Sequence, residues 1–366
     1  RLRCRSNETA VDEMSRVGFW NRGMTFGLLA AVLFGASTPA AKQLLGDVRP
    51  QLLAGLLYGG AALLLAVTQP VHGRRGEAPL RRTDLPVLAI IVVSGGIIAP
   101  VALLVGLDRI SAVSGSLLLN LEAPLTMVLA VVAFGEHLDR RAVMGGAAIV
   151  TASLVLSGAG VGGDGTLLGA ALVALACAFW AVDNNFTQRL SDRDPFRIVQ
   201  AKTGVAGAVN ITIALLLGSQ WPAPDTLAIV LAVGGAAYGA SVVLDAYALR
   251  HLGAAREAAL FATAPFFGAL LAVAAFGDPI GGRDVVAGVA MAAGVALLVT
   301  ERHRHSHRHT AMVHDHRHRH DDDHHHDHTH QPVVAGWHSH EHQHTPQEHT
   351  HRHVDDGHHR HRHGGE

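Results

Sequence analysis

The sequence predicts an all-α polytopic membrane bundle of ten transmembrane helices, built as two inverted five-helix halves. Three observations predict it. First, polarity is confined to the two ends, although 49% of the 366 residues are apolar and only 16% charged. Between those ends run stretches almost free of Asp, Glu, Lys and Arg. Each is near the ~20 residues that cross a hydrocarbon core of about 30 Å. A soluble protein with as many buried helices would carry amphipathic helices on its surface, and the pattern offers none. Second, 111–158 and 253–300 are two versions of one stretch. Leu121-Glu122-Ala123-Pro124 aligns with Ala262-Thr263-Ala264-Pro265, and Ala133-Phe134-Gly135-Glu136 with Ala275-Phe276-Gly277-Asp278. In a membrane chain such repetition points to a carrier made of two halves with the substrate site between them. Third, arginine is shared unequally between alternate loops. Arg74, Arg75, Arg81, Arg82, Arg140, Arg141, Arg189, Arg193, Arg197, Arg250 and Arg256 fall on one side, and only Arg49, Arg109 and Arg283 on the other. That bias places both termini in the cytoplasm.

The spans follow in order as 24–45, 51–69, 85–107, 111–134, 142–159, 166–188, 198–217, 226–248, 256–277 and 284–300. An odd number of crossings per half turns the second copy upside down in the bilayer. Residues 24–159 make the first repeat and 160–300 the second, with Gly158–Gly163 as a flexible connector. Residues 1–23 carry five arginines and no apolar run. They read as a disordered extension, or as a cloning or gene-calling remnant ahead of a start at Met14 or Met24. The long apolar segment after them lacks a small-residue cleavage pattern, which excludes a signal peptide. Cys4 and Cys177 supply neither a disulfide framework nor a thiolate metal site.

Ionisable groups inside a bilayer are costly and so are functional candidates by default. Glu122 is the sharpest, near the middle of the fourth span and two residues before Pro124. A proline removes a backbone hydrogen bond and leaves a carbonyl one turn back exposed, so a polar site beside it has a physical logic. Pro265 repeats the break in the ninth span, where Thr263 replaces the acid. The equal alternative is a Glu122 held by neighbouring helices to fix packing. Asn120 lies two residues before it. In the first span Ser37 and Thr38 follow Phe34-Gly35-Ala36, and in the sixth Asp183, Asn184 and Asn185 follow Phe179-Trp180-Ala181. These patches suit paired gates or walls of one cavity. Asp183 equally suits an interfacial acid near Arg189. Lys42, Lys202 and Asp245 lie near span ends, where snorkelling to water is the plainer reading. Gly55/Gly59, Gly165/Gly169 and Gly235/Gly239 make small-residue faces for close helix packing.

The tail, 301–366, is the other strong signal, because 24 of the 27 histidines lie in it. They alternate with other residues as His303, His305, His307, His309, then His314, His316, His318, His320, then His324, His326, His328, His330. The pattern continues through His338, His340, His342, His344, then His349, His351, His353, then His359, His361 and His363. So polar a segment cannot bury enough apolar surface to fold and is expected to be disordered. Imidazole suits zinc, nickel, cobalt and copper, so the tail reads as metal-binding. The alternative is a solvated tail that only titrates near pH 6.5.

Nothing in the chain suggests an enzyme. It has no His-Glu-x-x-His, no phosphate-cradling glycine loop and no nucleophile elbow. The arginines are spread over membrane loops and offset by acids, so there is no nucleic-acid footprint. No cofactor is called for beyond possible metal ions on the tail. The partners implied are the lipid bilayer, a small-molecule substrate and those ions, and a homodimer is left open.

Phe34-Gly35-Ala36-Ser37-Thr38-Pro39-Ala40-Ala41-Lys42, Leu117-Leu118-Leu119-Asn120-Leu121-Glu122, Gly135-Glu136, Asp183-Asn184-Asn185 and Ala264-Pro265-Phe266 together resemble paired EamA domains. These belong to the drug/metabolite transporter superfamily, and the likeness covers roughly 24–300. The tail after Thr300-Glu301-Arg302-His303 resembles a bacterial subgroup with His-rich C-termini. The resemblance implies ten helices in the inner membrane and secondary transport, often export, of small metabolites. It names no substrate. Asp278-Pro279 departs from the Gly-Glu pair common in the family, so no role is carried over to Asp278. Two function classes stand side by side. One is a carrier of small polar or amphipathic organic solutes. The other is a divalent-metal carrier (nickel, cobalt or zinc) or a membrane-anchored metal buffer. The spans favour the first, since only Glu122 is central and His72, His137 and His251 lie in loops or at span edges.

Overall fold

The protein is described by a computed structural model covering residues 2–72, 78–134, 140–157, 164–190, 193–252, 254–299, 303–308, 312–318, 338–344 and 348–353. Up to Val299 the described residues make ten helical rods, four of them built from two α-helices each. In the first half these are α1 (Leu2–Leu44), α2 (Pro50–His72), α3 (Leu85–Ile91) with α4 (Ala99–Leu107), α5 (Ala112–Leu118) with α6 (Glu122–Phe134), and α7 (Arg140–Leu156). The second half has α8 (Asp164–Thr187), α9 (Pro195–Leu216), α10 (Pro224–Gly234) with α11 (Ser241–Leu252), α12 (Ala254–Phe261) with α13 (Ala264–Phe276), and α14 (Gly282–Val299).

The interruptions fall at matching places. The third rod of each half widens into a π turn, at Val92–Ile98 and Gly235–Ala240. Both turns contain glycine, which packs no side chain and weakens the α-helical alternative. The fourth rod of each half breaks just before its proline. Pro124 and Pro265 sit in the first turns of α6 and α13, where a missing N–H costs nothing.

Packing shows the same two-fold exchange. Equivalent rods pair directly, α2 against α9 and α7 against α14, while α1 packs on α11 and α13 as α8 packs on α4 and α6. At the α2–α9 crossing a Cβ on Gly55 would sit 2.7 Å from Ile211 N, and one on Gly207 2.9 Å from Gly59 N. Those backbones touch, as the small-residue face predicts. Leu52, Leu53, Leu107, Leu118, Ile149 and Met291 fill the interior, whereas Leu63, Val67, Val132 and Leu216 face outward.

Seven rods are long and apolar enough as described to cross a membrane: Arg22–Leu44, Pro50–Gln69, Arg82–Leu107, Ala112–Ala133, Thr166–Leu190, Pro195–Leu216 and Pro224–Asp245. Of the others, α7 has 17 residues, and the ninth rod is cut so that α13 has 13. Polar staples group the connections into two ends. Arg193 Nε meets Asp84 Oδ2 at 2.8 Å and Asp194 N donates to Ala78 O at 2.9 Å, both in arginine-rich loops. At the other end Lys42 Nζ donates to Leu107 O at 2.6 Å, and Ala112 N donates to Asp278 Oδ2 at 2.8 Å. Asp278, to which sequence comparison assigned nothing, therefore caps the start of α5.

Two expectations are corrected. Residues 2–23 are not an irregular extension but the beginning of α1. No Pro or Gly precedes Gly18, and Glu8, Ala10, Glu13 and Met14 favour helix. In the tail the described parts are strands: β1 (His303–Arg308), β2 (Met312–His318), β3 (His338–His344) and β4 (Glu348–His353). β1 pairs antiparallel with β4, and β2 with β3. The expectation of disorder weighed burial and ignored period, and strict alternation is the period of a strand. His309, His320, His324, His326, His328, His330, His359, His361 and His363 lie outside the described residues, as do the 158–163 connector, Gly135-Glu136 and His137.

Candidate functional site

The fourth and sixth rods cross where the sequence places its intramembrane acid. A 3₁₀ turn, Leu119–Leu121, ends α5, and Glu122 opens α6. There Asn184 Nδ2 of α8 donates to Glu122 Oε1 at 2.7 Å. Glu122 is half-buried and Asn184 exposed, so this pair is not sealed in the interior of the bundle. The residues on either side of Asn184 turn elsewhere. Asp183 is buried and forms an ion pair with Lys202 of α9. Thr187 Oγ1 donates to the other Asp183 oxygen at 3.2 Å. Asn185 Nδ2 donates to Thr126 O at 3.1 Å and Ala181 O at 2.8 Å, which ties α8 to α6.

The π turn of the third rod completes the surroundings. Tyr58 Oη donates to Gly95 O at 2.8 Å, and Trp180 Nε1 donates to the same carbonyl at 3.1 Å. Asn210 Nδ2 donates to Gly96 O at 3.2 Å, and Asn210 Oδ1 accepts from Gln51 Nε2 at 2.8 Å. A π turn lengthens the helical hydrogen-bond spacing and is frequent at functional sites. Here its carbonyls are turned to side chains from α2, α8 and α9. Gly95 has a steric role as well, because a Cβ there would lie 2.1 Å from Asp183 Oδ2. The Asp183 carboxylate occupies the space that glycine leaves. Tyr58 stacks on Tyr238 of the second half at 5.3 Å, and Phe34 meets Tyr238 edge-on at 5.9 Å.

Of the residues singled out in the sequence, Glu122, Asp183, Asn184, Asn185 and Lys202 come together. The rest do not join them. Asn120 is buried and donates to Leu117 O at 2.9 Å. Ser37 and Thr38 are buried in α1, where the Ser37 hydroxyl shares a hydrogen bond with Tyr238. Thr263 bonds back to Leu260 O within its own rod. Lys42 closes the end of α4 through the carbonyls of Leu107 and Asp108. Three snorkelling or interfacial readings are corrected. Lys202 reaches Asp183 instead of water, and Asp183 therefore does not depend on Arg189, whose guanidinium lies 5.0 Å from the Phe186 ring centre. Asp245 is half-buried, hydrogen-bonded to Glu257, and has one oxygen sealed without a partner.

Sequence reading missed Tyr58, Trp180, Gln51, Gly95, Asn210 and Glu257. Asn210 had a usable signal, a lone amide well inside the apolar seventh span. Gly95 was masked by the general abundance of glycine. Among the described residues of the helical bundle no three His, Cys, Asp or Glu gather as a metal-holding group.

The EamA-like transporter family matches residues 21–158 and again 167–300, one match per half. The chain belongs to that family. As an EamA-like transporter it has a relative in Methanothermobacter thermautotrophicus described as an uncharacterized transporter. The two are 29% identical over 288 residues, spanning 74% of this chain and 84% of the relative. A solved crystal structure of a protein, 21% identical, superposes with a TM-score of 0.56 over 75% of this chain and 94% of its own. That likeness speaks to the fold alone. The Glu122–Asn184 contact joins one EamA repeat to the other.

Proposed function

We propose that this EamA transporter is a secondary carrier of the inner membrane that exports small polar or amphipathic organic metabolites. Its two inverted repeats would rock against each other about a site built on Glu122 and Asn184, with both termini in the cytoplasm. One observation carries the reading: a half-buried carboxyl and an exposed amide, one from each repeat, meet within the apolar spans where the two repeats cross. An intramembrane acid is by default a candidate for a substrate or proton path. The adjacent Asp183–Lys202 pair and the Tyr58 and Trp180 hydrogen bonds hold the surrounding helices, so the site has a rigid wall behind it. The histidine tail adds binding of zinc, nickel, cobalt or copper ions, as a buffer or sensor beside the transport path. A divalent-metal carrier is less well supported, since such a path gathers several ligands and the described interior offers none so grouped.

The test is a growth screen of a deletion strain against metals, amino acids and toxic analogues, with wild type and Glu122→Gln restored in parallel. Sensitivity to one organic class, relieved by wild type and not by the variant, is the expected result. Sensitivity to metals alone, relieved equally by both proteins, would overturn it.

A further inference from the structure

Every histidine of β1 stands opposite a histidine of β4. The register pairs His303 with His353, His305 with His351 and His307 with His349. β2 and β3 repeat the arrangement, with His314 opposite His342, His316 opposite His340 and His318 opposite His338. Residues two apart along a strand share a face, and directly opposite residues share it too. The first ladder therefore gathers six histidines on one face, and the second gathers six in opposed pairs with His344 beside them. The second ladder continues the register of the first, since the step from 303 to 312 along one side equals the step from 353 to 344 along the other.

What holds these strands together is not an apolar face. Met312 and Val313 are the only apolar residues in the four strands. A two-stranded ribbon is marginal in water even with apolar pairs. Directly opposite residues in such a ladder have Cβ atoms about 4.5–5.5 Å apart. That spacing suits two imidazoles on one ion, and two neighbouring pairs supply the four ligands of tetrahedral zinc.

We propose that the tail is a metal-closed ribbon in which divalent cations of the zinc class are held between opposite strands, not within single His-x-His blocks. The proposal rests on the metal-binding reading of the tail and adds to it the pairing of ligands. The ion is the cross-strand tie, and metal binding folds the segment as it does in small metal-dependent domains. Ligands from 303–307 are completed by those from 349–353, so neither end of the tail binds well without the other.

The experiment uses the full-length protein in detergent with zinc as the probe. In a background carrying Cys4→Ser and Cys177→Ala, the directly opposed pair Ser306→Cys with Thr350→Cys is oxidised with diamide. The unpaired combination Ser306→Cys with Ser339→Cys serves as control. Zinc is expected to raise cross-linking of the opposed pair by roughly tenfold over a chelated sample, as when an ion well above its Kd binds only the closed form. The control should not respond. Bound zinc is counted in parallel. Changing His303, His305 and His307 to Gln should lower it as much as changing His349, His351 and His353, and combining the two sets should remove little more. Equal cross-linking of both cysteine pairs, or losses that simply add, would overturn the ribbon while leaving metal binding by the tail intact. Absence of bound zinc would remove both.

Discussion

Asp183 of α8 and Lys202 of α9 form an ion pair that locks the first two helices of the second half together inside the bundle. The carboxylate is buried and the ammonium nearly so, with side-chain exposures of 4% and 19%. Removing one partner of such a pair strands the other charge, at a cost of about 3 kcal/mol. Asp183→Asn and Lys202→Met are each expected to lower the thermal stability of the detergent-solubilised protein. The double variant should recover most of the loss, because no uncompensated charge remains. Equal melting of all four proteins would show that the pair contributes nothing to the fold.

Glu122 and Asn184 differ from that pair in being only partly buried. Glu122→Gln removes the charge while keeping shape and hydrogen-bonding capacity, so insertion and melting should match wild type while transport is lost. Asn184→Ala deletes a hydrogen bond to a carboxyl, worth roughly 1.5–3 kcal/mol when the acceptor is charged. Its transport should fall about tenfold or more, and its stability by no more than that amount. Normal transport by Glu122→Gln would make the carboxyl a packing element and end its candidacy.

The rods were legible because hydropathy and repetition act along the chain. Glu122 was legible because charge in an apolar run is costly wherever the run folds. The pairing of Asp183 with Lys202 was in fact readable as well. Asp183 lies seven residues before Leu190 and Lys202 seven after Pro195, so the two sit at equal depth on consecutive antiparallel rods. Taken singly, each residue is only a charge near its own span end, and the pair emerges only when the two rods are laid side by side. The π turns were not legible. Their glycines have the same composition as packing faces, and only the crossing of α2, α8 and α9 over Gly95 and Gly96 distinguishes them. The tail failed for a different reason, since alternation was read for chemistry and not for backbone.

Gly95→Ala tests that crossing. A methyl group there would overlap Asp183 Oδ2 at 2.1 Å. The side chain would have to leave its ion pair, or the third rod would have to shift. A marked loss of stability is expected, on the order of 1–3 kcal/mol for overpacking. Gly204→Ala on α9 is the control, because nothing lies within 4 Å of its Cβ position. It should be neutral or stabilise by up to ~1 kcal/mol through helix propensity. Similar melting of the two variants would show that Gly95 is replaceable.

Asp278 provides a local test of the end opposite the arginine-rich loops. Its carboxylate accepts from Ala112 N, an N–H at the start of α5 that has no partner within its own helix. Ser111 already caps Ser114 N at 3.1 Å, so the two side chains share the work. Asp278→Ala should cost about 1 kcal/mol, the usual value of a lost N-cap. Asp278→Asn should cost less, since its amide oxygen still accepts. If both variants melt with wild type, the contact is incidental.

Orientation is the remaining consequence of the arginine count. Asp84 with Arg193, and Ala78 with Asp194, bring the connection between the second and third rods together with that between the sixth and seventh. Both connections are rich in arginine. Lys42 with Leu107 and Asp278 with Ala112 do the same at the opposite end, where arginine is sparse. The two ends are thus distinguished by charge as well as by contact, and positive loops remain in the cytoplasm. A reporter fused at Gly162 should therefore read outside, and one fused after Thr300 should read cytoplasm. A cytoplasmic signal at Gly162 would mean that the halves are not inverted about that junction. An outside signal after Thr300 would remove the tail from the compartment in which its metal binding is proposed to act.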